Sequence, residues 1–400
     1  MDLPSPKETT IFDVYEIGNI LGSGAFGQVR ACWPSSREDD HLYAVKIIDT
    51  REVPTHVLSI EESEILQPLE HRHIVALHET YEHDHMLFLI QERVTGGELF
   101  AAFADKQNRV DEQCVSFVGR QLLQALQYLH DRLIVHRDIK AENVLLKSRP
   151  SESQEWHVKL IDFGLAIRME SDGMIFRACQ QPEMLSEEII CGTLYYCAPE
   201  VFANTYGPKV DVWAVGVMMY LALFGLYPFY DRDPDAMEAL ICDREVEPQW
   251  ETALAAAYPE YEVSETSQEA LSALLEKEYL ERPSAREALE DPWYQTTQSM
   301  DDIPIAIRTK AYRAAVKASV NISKEQARTA SIVALKQKMR NEAYPDSPHN
   351  FPKEVGGQAR RFGTFPLAEK DDAVEVVDLE AAMRKFKHIE AVTAASAEPR

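Results

Sequence analysis

The first hundred residues alternate between apolar and polar positions with the two-residue period of half-buried strands. Residues 14 to 48 do so around a glycine-rich turn and end in the strand-like run LYAVKII. A helical pattern follows in VLSIEESEILQPL, then two more strand-like runs, IVALHETY and MLFLIQE. These elements predict a small, mostly antiparallel sheet carrying one helix. From about Gly97 the period becomes helical. DEQCVSFVGRQLLQALQYLHDRL places Val115, Val118, Leu122, Leu126 and Leu129 on one face, with Asp111 positioned as N-cap. Helical patterns continue to Trp293, interrupted by loops between 136 and 200. Val212 to Phe229 holds eighteen residues without a charge, a length that also reads as a membrane span. Gly216, Gly225 and Pro228 shorten the usable apolar helix, so a helix buried on all sides is expected instead.

After residue 300 the pattern changes. Residues 303–340 carry nine Lys or Arg against one acid, Glu325, on a basic helical pattern. Residues 343–372 hold four prolines and three glycines and read as a flexible linker. DAVEVVDLEAAMRKFKHIEAV near the end could form one short amphipathic helix. The expected organisation is an N-terminal extension (1–12), a domain over 13–294 with lobes at 13–92 and 95–294, a basic regulatory segment (300–340) and a tail (341–400).

Composition adds constraints. The formal charge of −25 argues against nucleic acid or an anionic membrane as main partner and favours basic partners. The six cysteines form no C-x-x-C pair, and MDLPSPKETT has no apolar targeting core. Thiols in a reducing compartment, cytoplasmic and also nuclear, are expected.

Candidate chemistry lies at five places. Gly22-Ser23-Gly24-Ala25-Phe26-Gly27 would let a backbone hairpin approach phosphate oxygens. A dinucleotide site also fits such glycines, but it needs a helix opening at the third one, and here QVRACW continues as a strand. Lys46 sits on an apolar strand and needs a compensating anion; Glu62 on the following helix is the candidate. His136-Arg137-Asp138-Ile139-Lys140-Ala141-Glu142-Asn143 and Asp162-Phe163-Gly164 place acids and an asparagine on loops after apolar runs. Hard oxygen donors of this kind suit Mg²⁺ shared with phosphates.

Together GSGAFGQV, YAVK, Glu62, HRDIKAEN, DFG and Ala198-Pro199-Glu200 stand in the order and spacing of the eukaryotic protein kinases, which residues 13–294 resemble. VTGGELF and the CGT before APE resemble the calcium/calmodulin-dependent group in particular. The resemblance implies an α+β, bilobal kinase fold: an antiparallel-sheet N-lobe with one helix, a larger helical C-lobe, and here a basic helical tail. It implies ATP-dependent phosphorylation of serine or threonine with Mg²⁺. Leu21, Gly22, Ser23, Gly24, Gly27, Val29, Ala44, Glu92 and Val94 would surround the nucleotide, with Gln91 at the pocket's rear. Lys46, paired with Glu62, would bind the α- and β-phosphates; Asp138 would accept the hydroxyl proton; Lys140 would steady the γ-phosphate. Asn143 and Asp162 would hold magnesium. Asp211 should accept N–H bonds from the loop of His136 and Arg137, and Glu200 should pair with Arg282. Leu66, Leu77, His136 and Phe163 match a stacked apolar column joining the lobes. A catalytically silent nucleotide-binding scaffold and a small-molecule kinase are the alternatives.

Glu98 and Glu142 match positions where kinases preferring basic substrates hold an arginine three residues before the acceptor. The basic segment at 303–340 lies where the resembled group places an autoinhibitory, calmodulin-binding helix; packing on the acidic domain suits it equally. Ser331 and Thr364 follow arginines by three residues and are expected autophosphorylation sites. In LSEEIICGTLYYCAPE the usual phospho-acceptor position is Ile189. Glu187 or Glu188 is expected to replace the phosphate by pairing with Arg137, with Ser186 as the conventional alternative, and Thr193 is assigned to Lys140 and Asp138.

Overall fold

The computed structural model describes residues 10–24, 27–36, 41–51, 62–105, 111–148, 156–169, 176–177, 194–202, 205–231, 233–243, 263–295 and 313–324. Five strands, β1 (Tyr15–Gly24), β2 (Gly27–Pro34), β3 (Tyr43–Asp49), β4 (Leu77–His83) and β5 (Met86–Glu92), form an antiparallel sheet in the order β1-β2-β3-β5-β4. The alternation over 14–48 is therefore three strands, as expected. Gly27 has φ +145°, and a Cβ there would lie 2.1 Å from the Ile47 carbonyl oxygen, so β2 closes on β3 only through glycine. Helix α1 (Ile11–Val14) puts Ile11 into a small core with Cys32, Val45, Phe88 and Ile90. Helix α2 is described over 62–66, and its Ile65 and Leu66 enter the main core.

One boundary differs from the sequence pattern. The apolar run at Ile74 reads as strand, yet β4 begins at Leu77. Ile74 and Val75 are buried, and the Val75 N–H donates to the Leu160 carbonyl at 3.0 Å instead of extending the sheet. They are apolar because they tie the two lobes together. The β4–β5 turn also escaped the pattern. Asp84 and His85 have φ of 48° and 61°, a left-handed two-residue turn made without glycine.

The larger lobe is helical. Helix α3 (Leu99–Phe103) precedes α4 (Glu112–His130), which is capped by the Asp111 carboxylate accepting from Cys114 N–H at 2.8 Å. Its five expected core positions are all buried. The uncharged run forms helix Lys209–Phe224, in which every residue from Val210 onward is buried, closing on Gly225 at φ 75°. Among the described residues no helix is long and apolar enough to cross a membrane. Two short ribbons, Val144–Leu146 with Val158–Leu160 and Ile134–Val135 with Ile167–Arg168, fix the loops between the lobes. A helix over 313–324 belongs with the described residues of both lobes to one compact unit.

Candidate active site

Directly opposed residues of adjacent strands share a face. The register Val29↔Lys46↔Leu89 and Ala31↔Ala44↔Gln91 therefore puts Val29, Ala44, Lys46 and Gln91 on one face of the sheet. Gly22 pairs with Val29, while Ser23 and Gly24 pair with Gln28 and Gly27 to complete the hairpin. Leu21 falls at the irregularity between the Ile20↔Arg30 and Gly22↔Val29 pairs, exposed at the rim. Glu92 ends β5, and Val94 follows on the short connection to Glu98 and α3. The residues expected around a nucleotide thus lie on one sheet face or its edge. Gln91 is buried there with an Nε2 that makes no hydrogen bond among the described residues.

Lys46 pairs with Glu62 as anticipated, its Nζ 2.8 Å from both carboxylate oxygens. It also donates to Asp162 Oδ1 at 2.7 Å. Burial works against the Lys46 ammonium, but Asp162 and Glu62 outweigh it and raise its pKa above the usual lysine value. Burial likewise pushes the Asp162 carboxyl up, and Lys46 reverses this, pulling it down to about 2.

Asp138, Lys140 and Asn143 converge on the neighbouring loop. Lys140 Nζ lies 2.9 and 2.6 Å from the two Asp138 oxygens. Asn143 Nδ2 donates to the carboxylate and to the carbonyl of Asp138, both at 2.8 Å. Its amide nitrogen is thus committed to Asp138, which leaves the amide oxygen as the end able to bind a cation. Arg137 and Asp162 have φ of 66° and 62°, left-handed conformations that cost free energy in non-glycine residues. Asp211 holds the first of them, accepting from the N–H groups of His136 and Arg137, each at 2.9 Å, and contacting His130 Nε2 at 3.0 Å. Burial raises the Asp211 carboxyl, but the His130 contact and the other donors bring it below its ordinary value.

The supporting contacts follow the sequence reading. Arg282, fully buried, forms a two-point pair with Glu200 at 2.6 and 2.9 Å and also donates to the carbonyls of Glu276 and Lys209. Leu66, His136 and Phe163 are buried with Leu77 packed alongside, and the His136 and Phe163 rings meet at 4.6 Å. Arg137 Nε donates to the Leu165 carbonyl at 2.6 Å. Ser186, Glu187, Glu188, Ile189, Thr193, Ser331 and Thr364 lie outside the described residues.

The sequence reading missed how the basic segment meets this site. In helix 313–324, Val316, Ser319, Val320 and Ser323 are buried. Tyr227 Oη donates to the Ser319 carbonyl at 3.3 Å, and Ser319 Oγ donates to the Gly225 carbonyl at 3.1 Å. Lys324 Nζ reaches both Glu98 oxygens, at 2.7 and 2.6 Å. Ser323 Oγ lies near enough to Glu142 and Tyr227 to influence their ionisation without completing hydrogen-bond geometry. Burial raises the Glu142 carboxyl, partly offset by Lys140. The spacing i, i+3, i+4, i+7 was a usable signal, but two of its four positions are serines, which a count of apolar residues passes over.

Residues 15–294 match the family model described as Protein kinase domain. The chain is similar to a calcium/calmodulin-dependent protein kinase type 1 from Macrobrachium nipponense, 36% identical over 298 residues, 73% of this chain and 78% of that one. A probable myosin light chain kinase from Dictyostelium discoideum is 34% identical over 301 residues, 72% of this chain and 86% of the other. Among solved structures, the autoinhibited serine kinase domain of the giant muscle protein titin superposes with a TM-score of 0.61 at 27% identity, covering 77% of this chain and 89% of that one.

Proposed function

This chain belongs to the protein kinase family, as an ATP-using serine/threonine kinase similar to the calcium/calmodulin-dependent group, and we propose that it phosphorylates proteins carrying basic residues before the acceptor under control of its own basic tail. The observation that carries the proposal is Lys324 seated on Glu98 with Ser323 beside Glu142. A cation from the chain itself occupies the acidic position assigned to a substrate arginine. Occupation of that position by the tail would exclude a basic peptide.

In the proposed mechanism Asp138 orients the acceptor hydroxyl and takes its proton. Lys140, bonded to Asp138, stands where it can neutralise charge on the phosphoryl group in transfer. Lys46 anchors the inner phosphates, and Glu62 keeps it extended from β3. The ionised Asp162 carboxylate and the Asn143 amide oxygen are hard donors that fit Mg²⁺ and would hold it. Magnesium, when bound, offsets the negative charge of the phosphates. Asp211 preserves the loop conformation that aims Asp138.

Calmodulin as the ligand of 303–340 belongs to the same proposal, supported by the basic composition of the segment and by the relative named for it. A cytoplasmic or nuclear location is proposed with it, supported by Cys32, Cys114, Cys197 and Cys242 being present as thiols. The test is a peptide-library phosphorylation assay on the full chain with and without Ca²⁺–calmodulin. Selection of arginine three residues before the acceptor, lost in Glu98→Gln, is expected. A flat preference at that position, unchanged by the substitution, overturns the substrate reading, and no response to Ca²⁺–calmodulin overturns its regulatory half.

A further inference from the structure

A second buried lysine lies behind the site. Lys159 sits in strand Val158–Leu160 between two fully buried residues, its own side chain only 8% exposed. An ammonium in such a place needs compensating partners. It has two: Glu92 Oε2 at 2.7 Å and the Ile74 carbonyl at 3.1 Å.

The partners give this lysine a location in the chemistry. Glu92 closes β5; its N–H donates to the Ala76 carbonyl at 2.8 Å, and its carboxylate accepts from Ala76 N–H at 3.4 Å. The connection leaves β5 through Arg93 and Val94 and is fixed again by Gly96 N–H on the Leu146 carbonyl at 2.9 Å. On the other side, Lys159 is paired with Leu145 in the ribbon that follows Asn143 and leads into Asp162. Ile161 N–H donates to the Asn143 carbonyl at 2.9 Å, so this ribbon carries both proposed magnesium ligands.

We propose that Lys159 is a positioning residue: its ion pair with Glu92 fixes the hinge that faces the nucleotide base relative to the strand that presents Asp162 to the phosphates. One side chain thereby sets the spacing between the two ends of the nucleotide site. The inference rests on the expectation that Glu92, at the end of β5, and Val94, on the connection after it, flank the nucleotide. Lys159 acts through Glu92, its partner at 2.7 Å.

The experiment uses the full chain and measures three quantities in Lys159→Met, Lys159→Arg and Glu92→Gln: Kd for MgATP by displacement of a fluorescent ATP analogue, KM for ATP against kcat on a basic peptide, and Tm. Lys159→Met is expected to raise Kd and KM for ATP roughly tenfold with little change in kcat, and Lys159→Arg to restore most of the affinity. Glu92→Gln keeps the shape of the hinge and is expected to raise both constants in the same direction by a smaller factor; it decides the matter if Lys159→Met does not fold. A lowered Tm with Kd and KM unchanged overturns the proposal, as does a change confined to kcat. Failure of the unsubstituted protein to bind MgATP would instead overturn the nucleotide-site reading, and the positioning role with it.

Discussion

The tail helix is held by two kinds of contact of different strength, and substitutions can rank them. Lys324 and Glu98 meet with side chains 32% and 38% exposed. A pair so wetted contributes about 0.2–1 kcal/mol. Val316, by contrast, is fully buried. Exposing a valine forfeits about 1.5 kcal/mol or more, and an unpaired carboxylate in its place adds a further desolvation penalty. Burial should therefore dominate the latch. Since about 1.4 kcal/mol is a factor of ten, Lys324→Ala should raise the population of released tail by at most about fivefold, and Val316→Asp by more than about tenfold.

The assay is the initial rate of the full chain on a peptide with arginine three residues before serine, at saturating MgATP and peptide below its KM. Under those conditions the rate follows the released fraction. The expected order of rates is Val316→Asp above Lys324→Ala above the unsubstituted chain, with apparent peptide KM lowest in Val316→Asp and highest in the unsubstituted chain. A rate for Lys324→Ala above that for Val316→Asp would show that charge, not burial, holds the tail. An unchanged rate in Val316→Asp would refute the latch itself.

Three further outcomes follow from buried polar groups. Asp211→Ala removes the acceptor shared by His136, Arg137 and His130 and should destabilise the fold by about 3 kcal/mol or more in denaturant unfolding, with loss of phosphotransfer. His73 is lowered to about 4 by burial, so it is neutral when folded but titrates near its ordinary value of about 6.5 when unfolded. The unfolded chain then binds more protons between those values: the stability contribution is complete above about 6.5 and is lost as pH falls toward 4. Discounted for residual solvent access, it amounts to about 1–2 kcal/mol, and His73→Asn should flatten the pH dependence of unfolding free energy in that window. Gln91→Met deletes a buried amide whose Nε2 has no partner among the described residues, so the nucleotide-free protein should gain about 1 kcal/mol, read as a higher Tm; a loss would mean the amide is satisfied in solution.

The charged and glycine residues of the candidate site were legible because they stand against apolar runs. Lys46 inside YAVKII has no reason to be there unless an anion meets it, and Glu62 does. Lys159 inside WHVKLI carries the same signal, but no motif singled it out. Ile74 and Val75 misled because an apolar run reports burial, not the element that achieves it: they are buried against Leu160, not in the sheet. Asp84 and His85 adopt a left-handed turn without the glycine that usually marks one, so the turn did not stand out in the sequence. The tail helix was visible as a basic stretch, but its docking face was not, because Ser319 bonds to the Gly225 carbonyl, which only the folded lobe supplies, and Ser323 is buried there without completing a hydrogen bond.

That docking face also bears on how firmly the tail is held. On the proposed reading, Glu98 and Glu142 form one acidic subsite, yet the tail treats them unequally. Glu98 receives an ammonium, while Glu142 receives a hydroxyl that completes no hydrogen bond, and both of its buried carboxylate oxygens are left without one among the described residues. Burying a carboxylate in that condition raises its pKa, as burial does here, and subtracts from the free energy of docking. A substrate guanidinium, with five donors in a planar fork, could satisfy carboxylate oxygens that Ser323 cannot. The same imperfection that weakens the latch therefore favours its replacement by an arginine-bearing substrate. A tail that filled both acids equally well would inhibit more tightly and would be harder for any activator to lift.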